Sequence, residues 1–168
     1  MTGVIRIFGV DPGSGATGWG LIESEGPRLS FIGAGVIRPK RALTRAQRLA
    51  AIHEGLAAII AEWGPHEAAV EETFVNASPR DALVLGEARG VALLAPALAG
   101  LCVSEYAANT VKKSVVGKGH AEKGQVQAMV RVLLPASGEQ AADAADALAV
   151  AICHAHMRGA ANLLKRTA

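Results

Sequence analysis

Val4 to Val10 is an almost unbroken apolar and β-branched run that stops at Asp11-Pro12-Gly13. A run of this length predicts a buried central strand. Pro12 has no N–H and cannot continue a central ladder, so Asp11 sits at the strand's end, where a side chain leaves the core. Ala16 to Ile22 predicts a second strand, Glu25-Gly26-Pro27 a turn, and Leu29 to Ile37 a third strand. The short connections predict an antiparallel meander. Leu49, Ile52, Leu56, Ile59, Ile60 and Trp63 then recur at helical spacing until Gly64-Pro65 stops the pattern. Ala68 to Thr73 predicts a fourth strand. It follows a helical crossover, so it lies parallel to the first.

Ser78-Pro79-Arg80-Asp81 has the order of a helix start, and Leu83, Leu85, Ala88 and Val91 continue it until Pro96 kinks or ends it. Val103 to Tyr106 predicts a short fifth strand, and Asn109 to Val116 a helix. A loop at Gly117-Lys118-Gly119-His120 leads into a helix over Ala121 to Leu134. Ser137-Gly138-Glu139-Gln140 has the capping-box spacing for a last helix running to about Met157. Strands first, then alternating helices and strands, predict an α/β fold with a mixed five-stranded sheet flanked by helices. The 168 residues suit one domain, 1–157, with a basic tail over 158–168 that frays.

Composition narrows the function classes. No apolar run reaches the ~18–20 residues of a membrane span, and the first residues lack the order of a signal peptide. Cys102 and Cys153 have no CxxC spacing and read as plain thiols. These features predict a cytoplasmic protein. A net charge of +2 permits a nucleic-acid partner without requiring one. The basic positions cluster, at Arg38 to Arg48 and around Lys112, Lys113, Lys118, His120 and Lys123.

The acids are the candidate chemistry. Glu71 and Glu72 sit in an otherwise apolar strand and point to opposite faces. Periodicity does not say which of them meets Asp11. Asp143 and Asp146, three apart among alanines, share one helix face. A solvated acidic face tolerates such a pair, but it does not explain why this apolar helix has acids only there. Converging at the exits of two parallel strands, Asp11, one of the two glutamates, Asp143 and Asp146 repel at ~4 kcal/mol per pair at 4 Å and an effective dielectric near 20. Two divalent cations neutralise that charge, and hard oxygen donors suit Mg²⁺ or Mn²⁺. A pair ~3.5–4 Å apart is the arrangement for in-line phosphodiester hydrolysis.

The chain resembles the RuvC family of Holliday junction resolvases, which have a ribonuclease-H-like fold. The resemblance rests on Gly9-Val10-Asp11-Pro12-Gly13-Ser14, Val70-Glu71-Glu72-Thr73-Phe74, Leu85-Gly86-Glu87-Ala88-Arg89-Gly90, Val115-Val116-Gly117, Ala121-Glu122-Lys123 and Ala142-Asp143-Ala144-Ala145-Asp146-Ala147-Leu148. These stretches span nearly the whole chain in the family's order. The resemblance implies a metal set of Asp11, Glu71, Asp143 and Asp146, and so selects Glu71 over Glu72. It implies a junction-stacking role for Phe74 and catalytic importance for Lys112 and Lys123. Lys113, Lys118 and His120 are placed to bind phosphates beside them, and Arg80 and the Arg38–Arg48 group to track more distant duplex arms. It further implies a homodimer bound to a four-way DNA junction, with paired nicks leaving 5′-phosphate and 3′-hydroxyl ends. RuvA and RuvB branch-migration proteins follow as partners, and the nucleoid as the place of action. Lys118-Gly119-His120 and Pro96 depart from the family's pattern without touching the acids.

Other patterns compete with this reading. Gly13 to Gly18 matches GxGxxG after a strand, as in a dinucleotide-binding module, but that fingerprint must open a helix and Gly18-Trp19-Gly20 is a poor start. A silent junction- or nucleotide-binding module and a ribonuclease-H-like nuclease acting on RNA are the alternatives. Cys153, His154 and His156 do not converge on a helix and read as packing. Gly86 and Gly90 form GxxxG on a helix with leucines on several sides, which predicts two-fold helix packing between protomers.

Overall fold

The computed structural model describes residues 3–73 and 78–167, and the backbone alone for Lys123 and residues 160–167. Phe74 lies outside the described residues. The first three strands are β1 (Ile5–Asp11), β2 (Thr17–Glu25) and β3 (Arg28–Ile37), and they pair antiparallel through short turns. Gly26, at φ +58°, makes the tight turn between β2 and β3. Helix α1 (Arg45–Trp63) starts on a capping box of Thr44 and Gln47 and stops at Gly64 in the left-handed region. It returns the chain so that β4 (Glu67–Glu72) runs parallel to β1.

Helix α2 (Pro79–Leu98) is capped by Ser78, whose hydroxyl oxygen accepts from the Asp81 amide at 3.2 Å. Pro96 sits near its end, and the helix closes two residues later at Leu98. Strand β5 (Cys102–Ala107) runs parallel to β4, which completes the order β3-β2-β1-β4-β5. Helices α3 (Ala108–Val116), α4 (Lys123–Leu133) and α5 (Ala142–Thr167) follow. The last helix differs from the sequence expectation at both ends. Ser137 closes a 3₁₀ turn instead of capping a helix: its hydroxyl donates to the Leu134 carbonyl at 2.7 Å, and Gly138 at φ +61° breaks the path. The helix then begins at Ala142 and continues past Met157 to Thr167.

Strand alternation divides the core between two faces. Phe8, Val10, Leu21, Ala68 and Val70 meet α1 and α2 through Ile52, Leu56, Ala88 and Ala92. Ile7, Ile22 and Ala69 meet α3, α4 and α5 through Val111, Val126, Val130, Leu148 and Ile152. From Ala147 to Ala155 every α5 residue is buried, as in a helix enclosed on all sides.

That helix lies on bare backbone. Gly9, Gly18 and Gly20 all face it, and a Cβ on any of them collides with it. At Gly9 the Cβ falls 2.2 Å from the Ala147 carbonyl oxygen, at Gly18 1.9 Å from that of Asp143, and at Gly20 2.8 Å from Leu148. The alanines of α5 complete the close fit from the other side. We expect Gly18→Ala or Gly9→Ala to force α5 off the sheet and cost about 3 kcal/mol or more, beyond ordinary overpacking. Gly124→Ala, whose Cβ meets nothing within 4 Å, should change stability by no more than about 1 kcal/mol. Urea unfolding curves of the three variants check the difference.

Candidate functional site

The same alternation distinguishes the two glutamates. Glu67, Ala69 and Glu71 share the face that carries Ile7, Gly9 and Asp11, whereas Glu72 follows Ala68 and Val70 toward α1 and α2. The register Val10↔Val70 sets Asp11 and Glu71 abreast one position further on, at the last residue of β1 and the last but one of β4. The backbone contact of Asp143 on Gly18 places the start of α5 over that edge, bringing Asp143 and Asp146 toward Asp11. Before β2, the turn is fixed by buried Thr17, which donates to the Gly13 carbonyl at 2.7 Å. The Gly13 to Gly18 stretch therefore opens a strand, and the space a side chain would need at Gly18 is filled by Asp143. That arrangement excludes a dinucleotide fingerprint there.

Electrostatics follow from the crowding. Burial, the charges of Glu71 and Asp146, a hydrogen bond with Glu71 and the charge of Asp143 together push the Asp11 carboxyl up to about 8. An aspartate with that value holds a proton at neutral pH unless another cation takes its place. Asp143 also faces Arg38, Nη2 to Oδ2 at 3.7 Å. Among the described residues no three His, Cys, Asp or Glu side chains are grouped so that they could hold a metal ion as they stand. The acids make an open cluster centred on Asp11. Carboxylate oxygens alone are the donor set that hard divalent cations take.

Basic candidates lie along the continuation of the same edge. Strands β1, β4 and β5 are parallel, and α3 starts immediately after β5, so Lys112 and Lys113 lie one turn beyond it. Gly117 ends α3 in the left-handed region, at φ +84°. Lys118 and His120 follow in the exposed loop. Lys113 and His120 line a cavity of about 560 Å³ together with Asn109 and Thr110. Arg80 is exposed in the first turn of α2. The Lys123 side chain, like Phe74, lies outside the described atoms.

Sequence reasoning left two features unassigned. One is the pairing of Arg38 with Asp143. Alternation carries that signal, because Arg38 stands two residues beyond Val36, which is paired with Gly18. The other is a half-buried polar chain through the buried His154. The Tyr106 hydroxyl and Nδ1 of His154 share a hydrogen bond at 2.8 Å, His154 Nε2 and Glu67 share another at 2.8 Å, and Arg158 Nε donates to Glu67 at 2.8 Å. Burial pushes the Glu67 carboxyl up, but the hydrogen bonds from His154 and Arg158 outweigh it and hold the group below its ordinary value. His154 thus joins α5 to β4 and β5, while His156 turns to Ser114 of α3 at 3.1 Å.

Residues 7–154 match the family model described as RuvC, crossover junction endodeoxyribonuclease RuvC. The crossover junction endodeoxyribonuclease RuvC of Methylocella silvestris is 61% identical over 161 residues, which is 96% of this chain and 92% of the relative. The Thermus thermophilus RuvC structure superposes with a TM-score of 0.83 at 30% identity, over 94% of this chain and 97% of that one. A second structure of that protein, in complex with a Holliday junction substrate, gives a TM-score of 0.86 over 94% and 96% of the two chains. A ribonuclease-H-like α/β fold carrying this acid edge, with such relatives over nearly its full length, belongs to the RuvC family of crossover junction endodeoxyribonucleases.

Proposed function

We propose that this chain is a Holliday junction resolvase, a homodimeric endonuclease that nicks opposing strands of four-way DNA junctions in recombination and repair. The convergence of Glu71, Asp146 and Asp143 on the largely buried Asp11 carboxylate carries this reading. Asp11, Glu71, Asp143 and Asp146 hold two divalent cations, Mg²⁺ or Mn²⁺. When bound, these supply an activated water and charge neutralisation at the leaving 3′-oxygen. The protein's own part is placement. β1 and β4 fix Asp11 and Glu71 on a rigid edge, and α5 holds the aspartates against it through backbone contact. Lys123 stabilises charge on the scissile phosphate. Phe74 stacks on an unpaired base at the crossover. Lys112, Lys113, Lys118, His120 and Arg80 contact phosphates.

The dimer reading is supported by the outer side of α2. Leu83, Leu94 and Leu98 are 67%, 49% and 68% exposed, and Cβ positions on Gly86 and Gly90 meet open space. These positions form one stripe at helical spacing. Two copies packed through it present two acid edges to a two-fold junction. The chain acts as one nuclease domain, at the nucleoid in the cytoplasm, alongside RuvA and RuvB. No helix among the described residues is long and apolar enough to cross a membrane.

Asp11→Asn, Glu71→Gln, Asp143→Asn and Asp146→Asn should each abolish Mg²⁺-dependent cutting of an immobile four-way junction while leaving junction binding roughly unchanged, because phosphate contacts dominate affinity. Denaturing gels beside gel-shift assays check this. Equal loss of both would mark the acids as structural, and preferential cutting of structured RNA would point to a ribonuclease. Leu94→Glu with Leu98→Glu should turn a sedimenting dimer into a monomer at micromolar concentration.

The Asp11 proton gives a pH prediction without DNA. The folded value of about 8 lies above the unfolded 3.8, so the folded state binds the proton more tightly. Its contribution to stability is full below pH 3.8 and is lost as pH rises through about 8. In EDTA the wild-type Tm should therefore fall across that window more steeply than that of Asp11→Asn. Mg²⁺ should raise the wild-type Tm most at its alkaline end. Thermal unfolding against pH, with and without Mg²⁺, is the measurement.

A further inference from the structure

Arg38 stands immediately after the last rung of the β2–β3 ladder, Thr17↔Ile37. Val36 pairs with Gly18, the glycine on which Asp143 rests, so strand alternation points Arg38 to the same face as Asp143. Pro39 follows and holds the Arg38 backbone extended. The guanidinium therefore swings from a stiff anchor at the rim of the acid cluster. There it pairs with Asp143 at 3.7 Å while 59% exposed.

This pair is not what holds α5 in place, since backbone contact at Gly18 already does so. An ion pair this open is weakly held and exchanges readily. A divalent cation on Asp143 neutralises the carboxylate and repels the guanidinium. Arg38 then needs another anion within reach of the same anchor. The phosphates of a DNA strand lying on the acid edge are that anion, and a guanidinium binds phosphate oxygens through two parallel hydrogen bonds.

Resting on the endonuclease reading, we propose that Arg38 is a phosphate-positioning residue of this site, parked on Asp143 in the DNA-free protein and transferred to a phosphate of the cut strand when cations occupy the acids. Arg38 then competes with cations before DNA arrives and orients the strand afterwards. Lys40 and Arg41, exposed on the same connection, continue the positive track away from the site.

The test has one arm without DNA and one with it. In Mg²⁺ titrations of the DNA-free protein, followed by calorimetry, Arg38→Ala should bind Mg²⁺ about two- to fivefold more tightly than wild type, because the competing cation is gone. In single-turnover cleavage of a four-way junction at saturating protein, Arg38→Ala should be slower by about tenfold or more, with Arg38→Lys recovering part of the rate. Junction affinity in Ca²⁺ should fall far less than the rate. Unchanged Mg²⁺ affinity overturns the exchange. A wild-type cleavage rate, or a loss of affinity as large as the loss of rate, overturns the positioning role in favour of a distant backbone contact. If wild-type protein binds Mg²⁺ but does not cut junctions, the endonuclease reading fails, and the phosphate transfer fails with it. The Mg²⁺ arm still reports whether Arg38 competes for Asp143.

Discussion

Everything at the acid edge depends on one close approach, the contact of α5 with the bare backbone of β1 and β2. Helices usually rest on a sheet through side chains, which leaves them free to slide or roll by small repacking. Here Gly9, Gly18 and Gly20 remove that cushion, and at Gly9 and Gly18 carbonyls of α5 lie where side chains would otherwise be. Interiors packed to this density do not deform continuously. Asp143 and Asp146 are therefore positioned by backbone geometry. That geometry can hold like charges together against their repulsion, whereas a more yielding interface would let them drift apart.

The crowding of carboxylates is a cost that the fold carries. Asp11 bears most of it, through burial and through three neighbouring carboxylates. Its response is to keep a proton, which is how buried acids avoid an uncompensated charge. On the proposed reading the proton and a divalent cation are alternative occupants of one electrostatic well, and Arg38 leans into its rim from just beyond β3.

Much of this arrangement was legible in the residues. The five strands, the crossover that makes β4 parallel to β1, and the Ser78 start of α2 all follow from period, punctuation and capping chemistry. The pairing of Asp143 with Asp146 needs only helical spacing. Glu71 and Glu72 show where local pattern ends. Both sit in one short strand, and only the register with β1 says which faces α5. Ser137 shows a second limit, since the same spacing that caps a helix also closes a 3₁₀ turn when Gly138 bends the chain away. Gly13 to Gly18 matches a dinucleotide fingerprint only on paper, because a motif records the absence of side chains but not what takes the space. Arg38 was hidden among other basic residues, since charge clusters carry no direction until a strand supplies one.

His154 has a mechanical consequence for the acids it never touches. It ties the middle of α5 to Glu67 and Tyr106, eleven residues down the helix from Asp143. At 1.5 Å per residue that separation is about 16 Å. The helix behaves over this length as a lever with its fulcrum in the core and its working end at the carboxylates. A tilt of about 2° at the fulcrum moves that end by about 0.5 Å, the tolerance a constellation of reacting groups allows. The hydrogen-bonded chain from Tyr106 to Arg158 thus adds, further down the same face of the sheet, a second hold on the angle of α5 beside the backbone contact at Gly18.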